Sequence, residues 1–195
     1  METLERIEAP APVVSLEEAK AFLRVTDGDS AVISDDLLIT SLIETATAYL
    51  DGEAGYLDRA IGVQRWRYSH DGFPRDGIVL PLPPLRSVET VTCTLRSGTT
   101  VALAAPDFRV MPGGSEPGRV LPAGMCPVLP FDVATVTVEF TAGYDPVPEP
   151  IRTAILMHVA TLYENRESVT ANTTFTAVPF AGLDLVMPYQ RAYFG

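Results

Sequence analysis

The stretch Val147-Pro-Glu-Pro-Ile-Arg-Thr-Ala-Ile-Leu-Met-His-Val-Ala-Thr-Leu-Tyr-Glu-Asn-Arg-Glu167 decides the fold of this chain. Its entrance holds Pro148 and Pro150, which suit a helix start because the first N–H groups need no partner there. Apolar and amphipathic side chains then recur at helical spacing, at Ile151, Ile155, His158, Val159, Leu162 and Arg166. A helix with such a stripe must bury it against another element, so the sequence predicts partner helices elsewhere in the chain.

Two early segments have the pattern of those partners. Ser15 and Glu18 match a capping box, in which each side chain satisfies an N–H of the other's residue. A second helix is predicted from Ser34 onward, with acids in its first turn and an apolar stripe that includes Leu38, Leu42 and Leu50. The residues up to Val14 are predicted to be a loose lead-in.

Between the early and late helices the hydrophobic period falls from helical spacing to two. Strands are predicted at 62–68, 87–95, 99–103, 108–111 and 133–141, with a hairpin turn at 96–99. The proline-broken run 78–85 is expected at a sheet edge or as an extended linker, and 111–130 is expected to be mostly loop.

These elements predict an α+β fold. Two N-terminal helices and one late helix form a small bundle from residues 1–60 and 145–167, and this bundle carries a β-rich insert at 61–144. Residues 168–195 are predicted to form an extended C-terminal tail, whose aromatic and arginine content is typical of protein interfaces.

Composition excludes several classes of protein. The formal net charge of −11 argues against a sequence-independent grip on nucleic acid, which needs clustered Lys and Arg. The widely spaced Cys93 and Cys126 are interpreted as buried or half-buried thiols rather than as a disulfide framework or a metal site. No apolar run reaches the length of a membrane span, and no secretory signal is visible, so we expect a soluble protein made in a cytoplasm.

Groups that could perform catalysis are sparse. His158 lies on the apolar face of the late helix and is interpreted as a core or interface residue, and His70 as a turn residue. The pair Asp35-Asp36 is interpreted as first-turn acids of a helix. No phosphate-binding loop, nucleophile elbow or metal-ligand spacing occurs, so we expect no cofactor, no metal and no enzymatic activity.

Residues suited to contact are more frequent. Trp66 alternates with Arg65 and Arg67, which predicts a core tryptophan with both arginines on the opposite face of a strand. Two other functions stay open at this point. One is a ligand-binding module, for example for carbohydrate, with Trp66 and Tyr68 as a stacking platform; the other is a hydrolase that uses two acids of the β-rich insert.

Several segments, taken in order, resemble the head–tail connector (adaptor) proteins of tailed phages, prophages and phage-derived gene transfer agents. The opening 14–25 and the following Asp35-Asp-Leu-Leu-Ile39 resemble the start of these proteins. Leu80-Pro-Leu-Pro-Pro-Leu-Arg-Ser-Val88 is similar to their Leu-Pro-x-x-Pro-Val-x-Ser-Val signature, with Leu85 in place of the usual valine. Phe140-Thr-Ala-Gly-Tyr144 and the late helix resemble their closing segment, so the resemblance spans about Ser15 to Glu167.

The resemblance implies a structural virion protein that forms a ring, commonly of twelve copies, at the head–tail junction. Such a ring docks under the portal protein, extends the DNA channel without binding DNA specifically, and joins the head to a tail-side stopper protein. It is assembled in the bacterial cytoplasm and involves no membrane.

Candidate contact residues follow from this resemblance and from the residue types. The C-terminal tail offers portal contacts, at Tyr189, Arg191, Tyr193 and Phe194. Arginines offer contacts between subunits, at Arg65, Arg67 and Arg166. Acids offer a channel-facing surface that would not hold DNA, at Glu44, Asp51, Glu53 and Asp58.

Overall fold

The computed structural model describes residues 2–25, 32–123, 132–165, 180 and 182–191, with the backbone alone for 32–34. The predictions made for Cys126, Arg166, Tyr193 and Phe194 lie outside these residues. The chain divides into two compact units. A sheet unit comprises Met1–Ala11 and Asp58–Asp145, and a helical unit comprises Pro12–Leu57 and Pro146–Gly195.

The helical unit is built on three helices that contact one another pairwise, α1 (Leu16–Leu23), α2 (Val32–Leu50) and α3 (Glu149–Glu164). Ser15 caps α1, since its hydroxyl accepts a hydrogen bond from the Glu18 N–H at 3.1 Å. The core between the helices consists of fully buried side chains, including Ile39, Ala46, Leu50, Ile151, Ile155 and Val159. The early pair of helices therefore packs on the late helix, as the sequence predicts.

Arg152 of α3 joins α3 to the start of α1. Its Nη1 donates to the Val13 carbonyl at 2.7 Å, and its Nη2 donates to both carboxylate oxygens of Glu18 at 2.7 Å. The capping-box pattern predicts that the Glu18 carboxylate accepts the N–H of Ser15. In the structure this carboxylate is instead bound by Arg152, which is 134 residues away in sequence.

The sheet unit contains two antiparallel sheets. The larger has the strand order β1-β2-β8-β4-β5, from β1 (Thr3–Glu8), β2 (Gln64–Asp71), β4 (Leu85–Leu95), β5 (Thr100–Leu103) and β8 (Val133–Ala142). The smaller has the order β3-β7-β6, from β3 (Ile78–Val79), β6 (Phe108–Met111) and β7 (Arg119–Pro122). Both contribute to one core, which includes Trp66, Ile78, Val120, Val138 and Phe140. The predicted α+β class is confirmed.

The strand β1 corrects the sequence-based prediction for the N-terminus. Residues 3–8 were expected to be a loose lead-in to the bundle, yet they pair antiparallel with β2 and belong to the sheet unit. Leu4 is half-buried, and the other five residues of β1 are exposed. Because a strand that buries one side chain has no alternating apolar pattern, sequence periodicity could not reveal it.

Two further segments differ from expectation. The stretch 111–130 was predicted to be mostly loop, but β7 lies in it as the central strand of the smaller sheet, anchored by the fully buried Val120. The tail contains a short helix α4 (Leu183–Val186) followed by a 3-10 turn at Met187–Tyr189. Within the proline-broken run, which was expected at a sheet edge or as an extended linker, Ile78 and Val79 form the edge strand β3, whereas Leu85 already begins β4, which lies between β8 and β5. Within the described residues no helix is long and apolar enough to span a bilayer.

Candidate assembly surfaces

The arginines of β2 meet an acid of the neighbouring strand β8. Arg65 Nη2 lies 3.0 Å from Glu139 Oε2, while Arg67 Nε and Nη2 donate to Glu139 Oε1 at 3.2 and 2.9 Å. Arg67 Nη1 also bonds Glu5 of β1 at 3.1 Å. In the strand register Glu5 of β1 is paired with Arg67 of β2, and Arg67 is paired with Glu139 of β8, so the three side chains are neighbours on one face of the sheet.

This network shifts the ionisation of its members. Hydrogen bonds from Arg67 hold the pKa of Glu139 below its usual value, against the opposing effect of partial burial. The pKa of Arg67 is raised, first by its hydrogen bond to Glu139. Both arginines thus have acidic partners within their own sheet, and their contact with another subunit stays a prediction.

The C-terminal segment, residues 180 and 182–191, lies on the helical unit. The Arg191 N–H donates to the Leu57 carbonyl at 3.3 Å, and Gln190 Nε2 donates to the Tyr56 carbonyl at 3.4 Å. Val186 is fully buried. Tyr189 and Arg191, two of the residues predicted to contact a portal protein, are therefore half-buried against their own unit.

An aromatic stack holds the start of this segment. The Phe180 ring lies 4.0 Å from the His158 ring of α3 and 4.7 Å from the Tyr49 ring of α2, centroid to centroid. Gly182 follows in the left-handed region at φ +84°, and a Cβ there would lie 3.1 Å from the Ala154 Cα. Burial lowers the pKa of His158, which agrees with its interpretation as a packed residue.

The four predicted channel-facing acids fall into different environments. Glu44 on α2 and Glu53 in the loop after α2 are exposed. Asp58 is half-buried and has a left-handed backbone at φ 49°. Asp51 is only 7% exposed, so its carboxylate has almost no surface to present to a channel, and that assignment is wrong.

The negative charge is concentrated in the helical unit. Its residues include thirteen acids and five bases, a formal charge of −8, whereas the sheet unit has twelve acids and nine bases, a formal charge of −3. The helix α2 contains no Lys or Arg. The sheet unit holds nine of the thirteen arginines, and the single lysine, Lys20, belongs to the helical unit.

Sequence reasoning missed one exposed face, that of the smaller sheet. Val79 pairs with Arg119, and Arg119 pairs in turn with Met111, so these three side chains form a row across β3, β7 and β6. Arg109 lies on the same face, opposite Leu121. Met111 is 55% and Val79 38% exposed, while the opposite face buries Ile78 and Val120 in the core. The sequence did not reveal this face because β7, the strand that brings Arg119 next to Val79 and Met111, was not recognised as a strand.

The ligand-binding alternative is contradicted by the position of Trp66. Its side chain is 6% exposed, with the Arg6 guanidinium 4.7 Å above its ring, so it cannot serve as a stacking platform. Tyr68 donates its hydroxyl to Glu2 at 2.9 Å. Among the described residues there is no group of three or more His, Cys, Asp or Glu that could hold a metal ion.

Sequence comparisons identify no relative, since no family model and no curated protein matches the chain. Solved structures do match it. A chain in the neck of an empty gene transfer agent particle, computed with C6 symmetry, has a TM-score of 0.74 at 22% identity, with 99% of this chain and 98% of that chain covered. A chain in the virion of a native gene transfer agent particle gives the same values.

A third structure, the neck of a native gene transfer agent particle computed with C12 symmetry, matches with a TM-score of 0.63 at 20% identity over the same shares of both chains. Identities this low show a common fold. The fold of this protein is therefore that of a chain found in gene transfer agent necks, in agreement with the resemblance to head–tail connectors that the sequence indicates.

Proposed function

We propose that the protein is a structural, non-enzymatic component of a phage-derived particle, in which it forms a ring at the head–tail junction. In this role it docks under a portal protein, continues the DNA channel and presents a surface to the next tail-side protein. The observation that carries the proposal is the match in fold, over 99% of the chain, to chains of symmetric neck assemblies.

The distribution of charge supports a place beside passing DNA. Each Lys or Arg that contacts phosphate adds affinity and would slow the movement of the duplex. A helical unit with a formal charge of −8 supplies few such contacts, and an exposed acid such as Glu53 repels phosphate. We propose that this unit provides the channel-facing surface.

The C-terminal segment supports docking to a larger partner. Leu185 and Met187 are 40% and 57% exposed although the segment is anchored by the buried Phe180 and Val186. Exposed apolar side chains on an anchored segment are suited to contact with another protein. We propose that the portal covers this segment, with Tyr189 and Arg191 taking part together with Tyr193 and Phe194, which lie outside the described residues.

The hydrolase alternative has no support at Glu139, the acid of the β-rich insert that lies between two arginines. A general acid needs a raised pKa. Glu139 instead has a lowered pKa and bonds two arginines.

Particle assembly in the producing strain tests the proposed function. A strain that lacks the protein is expected to accumulate DNA-filled heads and free tails, seen by negative-stain electron microscopy, and the wild-type gene supplied in trans should restore tailed particles. Normal tailed particles from the deletion strain would overturn the proposal. Labelled protein should also lie at the head–tail junction of wild-type particles, and labelling confined to another part of the particle contradicts it as well.

A further inference from the structure

The smaller sheet of the sheet unit has one face that its own core does not use. Its odd-numbered side chains are Val79, Arg109, Met111, Arg119 and the half-buried Leu121, and we call this set the arginine face. Both arginines are exposed, and neither forms an ion pair within the described part of the chain. A surface that combines exposed apolar side chains with unpaired cations fits a partner surface that is apolar and acidic.

The helical unit of the same protein offers such a surface on α2. Leu37, Ser41, Glu44 and Ala48 recur at i, i+4, i+7 and i+11, and all four are exposed. Leu37, at 74%, is the most exposed of the large hydrophobic side chains described. Glu44 forms no ion pair within the described residues, and α2 contains no Lys or Arg to neutralise it. We call this set the α2 face.

We propose that the arginine face of one copy binds the α2 face of a second copy. Arg109 and Arg119 would approach Glu44 and the negative field of the helical unit, while Met111 and Val79 would contact Leu37. This inference rests on the proposed ring and names the contact that builds it.

Charge also decides the symmetry of the contact. Two arginine faces apposed across a two-fold axis would bring like charges together, which is unfavourable. A contact between two different faces is heterologous, and heterologous contacts generate rings when the rotation closes. The two faces lie on different units, so each copy presents one of each.

Cross-linking between two single-cysteine variants tests the contact. Met111→Cys and Leu37→Cys are prepared separately in a Cys126→Ser background; the remaining Cys93 is fully buried. The two variants are mixed at high concentration and in assembled particles, and are treated with a short bismaleimide. A covalent dimer that forms from the mixture, and not from either variant alone, is expected. A matched pair, Leu185→Cys with Met111→Cys, should give little dimer.

Charge reversal provides a second measurement. Arg119→Glu should weaken self-association, measured by sedimentation, by about tenfold or more at low salt. The matched reversal Arg24→Glu changes an exposed arginine of the helical unit and should have little effect. Adding Glu44→Arg to Arg119→Glu should restore association.

The outcomes separate this inference from the proposed function. Particles that contain the protein but give no cross-link between positions 37 and 111 overturn the contact and leave the junction role intact. A specific cross-link in protein that is absent from the head–tail junction supports the contact and removes the proposed function. A chain that stays monomeric at every concentration, and gives no cross-link in particles, overturns the contact.

Discussion

Replacing Arg152 by Met tests how the late helix is held to the first helix. The substitution keeps most of the apolar stem but removes the guanidinium that bonds the Val13 carbonyl and the Glu18 carboxylate. Val13 is 6% exposed, so water has little access to replace the lost donor. The change therefore isolates the polar contribution of one side chain to the helical unit.

The expected magnitude follows from the two partners. A buried carbonyl left without a donor costs about 1–3 kcal/mol. The ion pair with Glu18 contributes less than a buried pair, about 1 kcal/mol, because the side chains of Arg152 and Glu18 are 28% and 33% exposed. Together these give a loss of about 3 kcal/mol in the free energy of unfolding, or roughly 6–12 °C in melting temperature for a chain of this size.

Urea unfolding with two probes measures this loss. Far-UV circular dichroism reports mainly the helices, and the fluorescence of the single tryptophan, Trp66, reports the sheet unit. The matched control is Arg86→Met, which removes an exposed pair with Asp145 and should cost no more than about 1 kcal/mol. If Arg152→Met lowered the midpoint of the dichroism transition no further than Arg86→Met does, the assignment of Arg152 as the link between α1 and α3 would be refuted.

Three other substitutions probe the remaining contacts. Phe180→Ala removes the central ring of an aromatic stack and should cost about 3 kcal/mol, with faster hydrogen exchange at 183–189, whereas the exposed Leu185→Ala should change little. Because burial lowers the pKa of His158 below 6.5, the unfolded chain takes up the proton first; the stability of the helical unit should be complete above pH 6.5 and fall as the pH decreases below it. In urea unfolding at several pH values, His158→Phe should flatten that slope, and an equally steep slope in the variant would contradict this assignment. Glu139→Gln removes the anion between two arginines. It should lower the urea midpoint of the Trp66 fluorescence transition by less than Arg152→Met lowers the midpoint of the dichroism transition. In the wild-type protein the stability contributed by the Glu139 carboxylate is present above pH 4.5 and is lost as the pH falls through the lowered pKa of Glu139.

Several elements of the fold could be predicted because their signals are local. Ser15 marks a helix start because its hydroxyl accepts the Glu18 N–H, and the late helix begins at Pro148 with a second proline, Pro150, in its first turn, which has no N–H to satisfy. The alternation of buried and half-buried residues along β8 identifies a strand with one covered face. The early and late helices were expected to pair because an apolar stripe of this length has no stable place in water.

The candidate contact residues could be named by type but not by environment. Arg65 and Arg67 were recognised as the polar face of a strand, yet their partner Glu139 lies 74 and 72 residues away in sequence. Asp51 and Glu53 have similar sequence surroundings, but only Glu53 is exposed. Exposure depends on which elements pack above a residue, and a local pattern does not contain that information.

The sequence by itself determined where α1 and α3 begin, which stretches alternate as strands, and that the chain is acidic with few groups for catalysis, because capping, periodicity and composition are properties of neighbouring residues. The start of α2 was predicted at Ser34, but this helix begins at Val32, so Ser34 lies inside it and is not its cap. Tertiary structure alone decided that residues 3–8 complete the larger sheet, that β7 exists as a central strand, and that the C-terminal segment lies on the helical unit. These elements owe their stability to hydrogen bonds and buried area supplied by partners distant in the chain, so their own residues have too weak a pattern to reveal them.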